Sequence, residues 1–518
     1  MHPFVELGVK AAQQQNLTQA LGWFERACAE NPSDPEARAW LGQTLCSTGQ
    51  RHAGLVHLSA AARRFVDNAR AVAHLSVDPR QACEALTQLQ HWQGFEDALP
   101  LARELAALAP QSAAAQRQLA LVCGQLNLTA EALRAVIAAR ALSAADPGLQ
   151  VLHASLLADA RQYDDACDQL ESLLQRGIGP GGVDMRIAFR AFKELARCLD
   201  ALGEHDVVHA QLEAAASMAL QLPEYQRLDQ DLVPRGLRQA MAGYTRASME
   251  RFAGHVFAAQ PRAPVFLMGF FRSGTTLTQE VLNAHPDVFL ADEAGLLHQM
   301  EQALHRLRPG TDDVPTKLAT LSHEDVEQLR AAYWAAARGR YGAAADKGLF
   351  IDKFTLNTVD LGLINTVFPD AKVLFVMRDP RDVVLSCVMQ LMVPTAATRH
   401  LLTLQDTANL YALVLQWWVQ VRDQLSLSWM EFRYEDAVSD FEPTFKRVFE
   451  FLGLPWDQGV VNFHQRAQGR FIASPSRNQV SQPLYRSSVA RWRRYETALA
   501  PVQHLLAPFA ARFGYPAA

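Results

Sequence analysis

The amino-terminal half repeats at an interval of 34 residues, and no other property of the chain narrows its fold so far. Leu7-Gly8 returns as Leu41-Gly42, and Phe24 and Ala27 return as Leu58 and Ala61. FEDAL (95–99), TAEAL (129–133) and YDDAC (163–167) keep the same interval, which makes Ala98, Ala132 and Ala166 equivalent. NPSDPEA (31–37) and APQSAAA (109–115) fall at turns between units. Small residues at fixed helical positions mark where helices touch. One hairpin of this size cannot bury its apolar stripe, so neighbours must stack.

A helix–turn–helix period of this length is the tetratricopeptide signature. Five units fit residues 4–183, GIGPGGVD (177–184) breaks the array, and a sixth unit is expected over 186–220. The first domain is therefore read as an α-helical tetratricopeptide solenoid over 1–220. Residues 221–263 keep helical periodicity without the repeat and read as a helical linker, closed by Pro261 and Pro264. Such an array offers a concave surface, so a protein or peptide partner, or a second copy in a homodimer, is expected on it.

From residue 264 to 518 the texture changes. Short apolar runs at 265–268, 288–291, 349–351, 372–377 and 428–433 alternate with helical patterns at 275–284, 323–340, 405–424 and 440–452. Strands separated by helices imply an α/β domain with a parallel sheet. Ligands of such sheets bind beyond the carboxyl ends of the strands. The totals exclude several classes. A net charge of −5 gives no global attraction to nucleic acid, and no apolar stretch approaches the roughly 20 residues of a membrane span. Seven cysteines without a C-x-x-C pair read as reduced thiols of a cytoplasmic protein, and no metal constellation is found. MHPFVELGVKAAQQQ lacks the pattern of a signal peptide.

The first apolar run enters GFFRSGTT (269–276), which has the spacing of the phosphate loop G-x-x-x-x-G-K-[ST] without its lysine. Thr275 stands at the lysine position, Thr276 follows, and the positive charge comes early, at Arg272. Glycines let successive N–H groups face an anion, and the following helix adds its positive end. Without the lysine, a single 5′-phosphate suits the loop better than a β,γ-phosphate with magnesium. The bland alternative is an ordinary glycine turn. The fourth run enters VMRDPRDVVLS (376–386), where Arg378 at a strand end and Ser386 two helical turns on can converge on a second phosphate. A surface salt-bridged turn is the alternative there.

Two phosphate sites and no lysine fit 3′-phosphoadenosine 5′-phosphosulfate (PAPS) better than ATP. Residues 264–515 resemble a P-loop-like sulfotransferase domain, closest to the tyrosylprotein sulfotransferases and to bacterial sulfotransferases fused to tetratricopeptide repeats. The resemblance runs in order through PVFLMGFFRSGTTLTQEVLNAHPDVFLADE, FIDKFTLN (350–357), FPDAKVLFVMRDPRDVVLS, FRYEDAVSDFEPTFKRVFEFLGL (432–454) and SPSRNQVSQPLYRSSVARWRRYE (474–496). It implies transfer of a sulfuryl group from PAPS. Arg272, Ser273, Gly274, Thr275 and Thr276 would hold the 5′-phosphosulfate, with Arg272 beside the transferred group. Lys353 would stabilise the leaving phosphate and Glu293 would be the base, with Asp292 second. Arg378, Ser386, Tyr434, Ser476 and Arg491 would hold the 3′-phosphate and adenine. Tyr434 also reads as a core aromatic, Trp417, Trp418 and Trp492 as packing, and His285 as a turn residue.

Ala294 and Gly295 stand where the animal enzymes have Thr-Arg, and their secretory anchor and disulfides are not expected here. The implied acceptor is a peptide tyrosine. A saccharide or small-molecule hydroxyl is the rival. A kinase, with Asp352 on magnesium, and a repeat scaffold with an inactive nucleotide-binding domain are readings from other classes.

Overall fold

Five helical hairpins open the chain, and their turns explain the repeat interval. The structure, a computed structural model, describes residues 2–71, 78–255, 257, 263–310, 313–467, 470–474, 480, 484 and 487–517. Pro3–Gln13 pairs with Leu17–Glu30, Pro35–Ser47 with Arg51–Ala71, and Arg80–His91 with Phe95–Leu108. Ala113–Gln125 then pairs with Thr129–Leu142, and Pro147–Asp159 with Tyr163–Leu174. Each hairpin turns on one left-handed residue: Gln15, Gly49, Gln93, Asn127 and Arg161.

These turn residues recur every 34 positions except between Gly49 and Gln93, where the step is 44. The extra length follows the second hairpin, whose second helix runs 21 residues against 12–14 in its counterparts. Helix starts are set locally. Asp34 and Asp146 accept from the N–H groups of Glu36 at 2.9 Å and Gly148 at 2.7 Å. A proline follows each at the first helical position, where its missing N–H costs nothing. The recurring alanines, Ala27, Ala61, Ala98, Ala132 and Ala166, are fully buried.

The chain divides into two compact units. The first is Met1–Gln169 with Ala336–Ala345 and Ala467–Ala473. In it Phe471 stacks on Phe95, ring centroids 4.5 Å apart, and its N–H donates to Glu96 at 2.9 Å. The second is Leu170–Ala335, Asp346–Arg466 and Ser474–Ala518. It contains the sixth hairpin, Met185–Leu202 with His205–Gln221, which the sequence period groups with the first five.

The second unit is built on five parallel strands: β1 (Val265–Gly269), β2 (Val288–Asp292), β3 (Leu349–Lys353), β4 (Lys372–Met377) and β5 (Ser428–Arg433). Their order is β2-β3-β1-β4-β5. β1 is buried along its whole length, which is why it reads as a continuous apolar run. On one face Phe266 meets Tyr333 and Phe368, and Phe375 stacks on Trp418 at 4.0 Å. On the other, Phe432 meets Phe445 of the helix Phe441–Leu452. No described helix is long and apolar enough to cross a membrane.

Because each repeat is held by its neighbours, damage to one should stay local. Phe24 is fully buried and lies 5.9 Å from the Trp40 ring. Phe24→Ala should cost about 3–5 kcal/mol. Amide hydrogen exchange should show lost protection within residues 3–47 and unchanged protection in the sheet.

Candidate active site

The loop that leaves β1 closes on itself and on two neighbouring segments. Arg272 and Gly274 both have left-handed backbones, with φ of 64° and 108°. A side chain at Gly269 would lie 2.6 Å from Ser273 Oγ and Val376 O, and one at Gly274 would lie 2.6 Å from the Tyr434 ring. The glycines are therefore demanded by close approach as well as by the turn. The helix Thr275–Asn283 starts here without a side-chain cap. Thr276 Oγ1 lies 2.7 Å from Ser474 Oγ, and Thr275 Oγ1 lies 3.4 Å from Thr355 Oγ1. Thr358 Oγ1 donates to the Gly269 carbonyl at 2.8 Å.

Arg378, at the end of β4, ties three segments together. Nη1 donates to the Arg272 carbonyl at 3.1 Å and Nη2 to the Ser488 carbonyl at 2.6 Å. Its guanidinium lies 4.9 Å from the Tyr434 ring centroid. Arg272 Nε donates to Ser386 Oγ at 3.1 Å. Arg272, Ser273, Gly274, Arg378, Ser386 and Tyr434 thus form one cluster at the carboxyl ends of β1 and β4. Among the described residues, buried Arg378 Nε and buried Ser273 Oγ have no hydrogen-bond partner, and both residues line one water-sized cavity whose other walls are mostly apolar, among them Phe270, Phe375, Val383 and Leu415.

A second cluster sits at the ends of β2 and β3. Buried Lys353 donates to Glu293 Oε1 at 2.7 Å and to Asp292 Oδ1 at 3.2 Å. Burial by itself lowers a lysine, but the two carboxylates outweigh it and hold Lys353 above its usual value. The Glu293 N–H also donates to the Lys353 carbonyl at 2.8 Å, and Glu293 has a φ of 46°. Consecutive strand residues normally point to opposite faces. The left-handed turn at Glu293 lets its carboxylate join that of Asp292 on one ammonium.

Arg491 pairs with Asp200 at 2.6 Å, and its Nη2 lies 2.7 Å from Met389 Sδ on the helix that carries Ser386. Ser476 lies outside the described residues. Asp352 accepts from the Tyr333 hydroxyl at 2.8 Å and is buried beneath the helix His323–Tyr341. His285 accepts from the Asp287 N–H through Nδ1 and meets the Pro455 carbonyl through Nε2, as a turn residue does. Trp417 and Trp418 are core. Trp492 is also buried and packs under Arg381, whose guanidinium lies 3.6 Å from the ring centroid.

Residues 264–458 match the model of the sulfotransferase family. This segment is a sulfotransferase-family domain. A protein of Aquifex aeolicus (strain VF5), called only uncharacterized, is 26% identical over 52% of this chain and 35% of its own length. Drosophila melanogaster protein-tyrosine sulfotransferase is 26% identical over 44% of this chain and 46% of its own. Danio rerio protein-tyrosine sulfotransferase 1 is 24% identical over 48% and 72%. The chain thus spans about a third to a half of the first two relatives.

Within the sulfotransferase-family domain, sequence reasoning missed several polar groups. Asp379 and Arg381 form an ion pair at 2.6 Å that is buried, unlike the surface turn that is the alternative reading of RDPRD. Asp382 accepts from the N–H groups of Ala490 and Trp492, each at 2.8 Å, and so fixes the segment that receives Arg378. Thr358, one residue past FIDKFTLN, and Ser474, at the start of the last matching segment, carry no signal of their own.

Burial raises Asp352 from its usual value to about 7. The native chain therefore holds a proton that the unfolded chain releases near pH 3.8. Its stabilisation is complete below that pH and is lost as pH rises through about 7. Between these limits the wild type should lose roughly 2–4 kcal/mol relative to Asp352→Asn. Urea midpoints followed across that range test it; a constant difference would mean that Asp352 is ionised at neutral pH.

Proposed function

We propose that the sulfotransferase-family domain transfers a sulfuryl group from PAPS to an acceptor hydroxyl, with a peptide tyrosine as the acceptor. The observation that carries this reading is Lys353 paired with Glu293 beside a phosphate loop that has no lysine of its own. The donor set fits the two phosphate-bearing ends of PAPS. Ser273, Thr275, Thr276 and the start of the helix Thr275–Asn283 would hold the 5′ end. Arg378 and Ser386 would hold the 3′-phosphate, and Tyr434 would help to shape that end.

In the reaction an S–O bond forms to the acceptor, the S–O bond to the bisphosphate breaks, and the hydroxyl proton passes to Glu293. Glu293 is a third exposed and so open to an arriving acceptor. Arg272 and Lys353 bring positive charge to the oxygens where negative charge grows, which is where fixed charge lowers a barrier most. Lys353 is held by strand pairing and is already oriented, so little reorganisation is needed. Tyrosine as acceptor draws support from the names of the relatives, and the five-hairpin array would present the peptide.

Adenosine 3′,5′-bisphosphate should bind without magnesium, and more tightly than ATP. Arg378→Ala should weaken it by about 1.5–3 kcal/mol by calorimetry. Equal affinity in a folded Arg378→Ala protein would remove Arg378 from the site. Magnesium-dependent preference for ATP would favour a kinase.

Glu293→Gln keeps shape but cannot accept the proton. Its kcat should fall by about 10²–10⁴ while bisphosphate affinity holds. The loss should shrink for a nitrated phenol, whose proton leaves more easily. Asp292→Asn should be milder; near-normal turnover of Glu293→Gln beside an inactive Asp292→Asn would transfer the role to Asp292.

A further inference from the structure

Lys193 lies on the helix Met185–Leu202 with 2% of its surface exposed, and among the described residues no carboxylate pairs with it. Burying a lone ammonium is costly, and an apolar side chain of similar length would be the stable choice. Lys193 Nζ instead donates to the carbonyl of Val388. That carbonyl belongs to the last turn of the helix Pro380–Met389, which carries Ser386 two residues earlier. A cation at a helix carboxyl end is favourably placed against the helix dipole.

Seven residues further along, and so on the same face, Asp200 receives Arg491 and the Tyr495 hydroxyl, each at 2.6 Å. The segment around Arg491 is bound in turn to Pro380–Met389 through Asp382, and its Ser488 carbonyl receives Arg378. One helix face therefore holds both the helix that carries Ser386 and the segment that receives Arg378.

We infer that Lys193 is a positioning residue for the anion subsite at Ser386 and Arg378, fixing the helix that carries Ser386 and adding positive charge behind it. The inference rests on the phosphate reading of that subsite given above. Burial lowers Lys193 from its usual value to about 7. Among the described residues the titratable group that acts on it is the Cys387 thiol of the facing helix, which burial pushes up to about 12. Arg272 and Arg378 act on that same thiol, so all three cations lie within electrostatic reach of one buried point. The Lys193 charge is present below pH 7 and fades above it, and an anion bound at Ser386 favours the charged form.

The test uses the full chain with Lys193→Met and Lys193→Arg, titrated with adenosine 3′,5′-bisphosphate at about pH 6.5 and about pH 8.5. The ligand's own phosphate ionises near pH 6 and acts alike in every variant, so differences between variants isolate the lysine. Relative to Lys193→Arg, wild type should lose affinity as the pH rises. Lys193→Met should bind about tenfold more weakly than wild type at the lower pH and lose the added pH dependence. Lys193→Arg, which stays charged, should bind tightly at both. A purely structural role would leave affinity and pH dependence untouched in Lys193→Met, and that result overturns the inference.

Amide exchange of residues 386–390 without ligand gives a second, independent readout. It should quicken in Lys193→Met and recover in Lys193→Arg. If wild type does not bind the bisphosphate, the phosphate reading of the subsite falls. The exchange data then decide the positioning claim alone, and unchanged exchange overturns it.

Discussion

A lysine with no contact with water that is to stay charged across the whole neutral range needs carboxylates beside it, and that need governs the edge of the sheet. Lys353 ends β3, and the strand register sets Asp292 of β2 directly opposite it. A slip of one residue would turn Asp292 to the other face and leave an ammonium buried alone. The cost of that error is several kcal/mol, so the pair specifies the register as well as the chemistry. The neighbouring turn at Glu293 then follows, because only a left-handed backbone carries a second carboxylate to the same ammonium.

The same economy appears between β4 and the carboxy-terminal segment. Arg378, Arg381, Asp379 and Asp382 are all buried, and each meets charge, ring or backbone rather than water. A polar network this dry must be satisfied throughout to be tolerated. Its satisfied members hold the chain in place, while among the described residues Arg378 Nε and Ser273 Oγ have no partner where the loop closes.

Much of this was legible in the sequence because it is periodic or local. The five apolar runs became five strands within a residue or two, and the alanines at 98, 132 and 166 lie in equivalent buried positions. The break in the period after Gly49 was not legible, since an insertion between repeats leaves no motif. The roles of Asp200 and Lys193 were hidden for a different reason. Their partners stand about 290 and about 195 residues away, and pairing over such distances has no local pattern. Arg491 is picked out by resemblance, which gives no hint of its pairing with Asp200 on another helix.

The chain passes between its two units after Gln169, Ala335, Ala345, Arg466 and Ala473. Proteins are made in one direction, and domains fold as they emerge at about 5–20 residues/s. The hairpins emerge first, yet Ala473 follows Gln169 by about 300 residues, or roughly 15–60 s at that pace. Through that interval Phe95 waits without Phe471 to cover it, and Gln93 without the Arg340 side chain that will donate to it. The nascent chain therefore carries an unfinished apolar face for most of its synthesis, the condition under which chaperones bind. The half that is made first is therefore completed only shortly before the end of the chain, at Ala473.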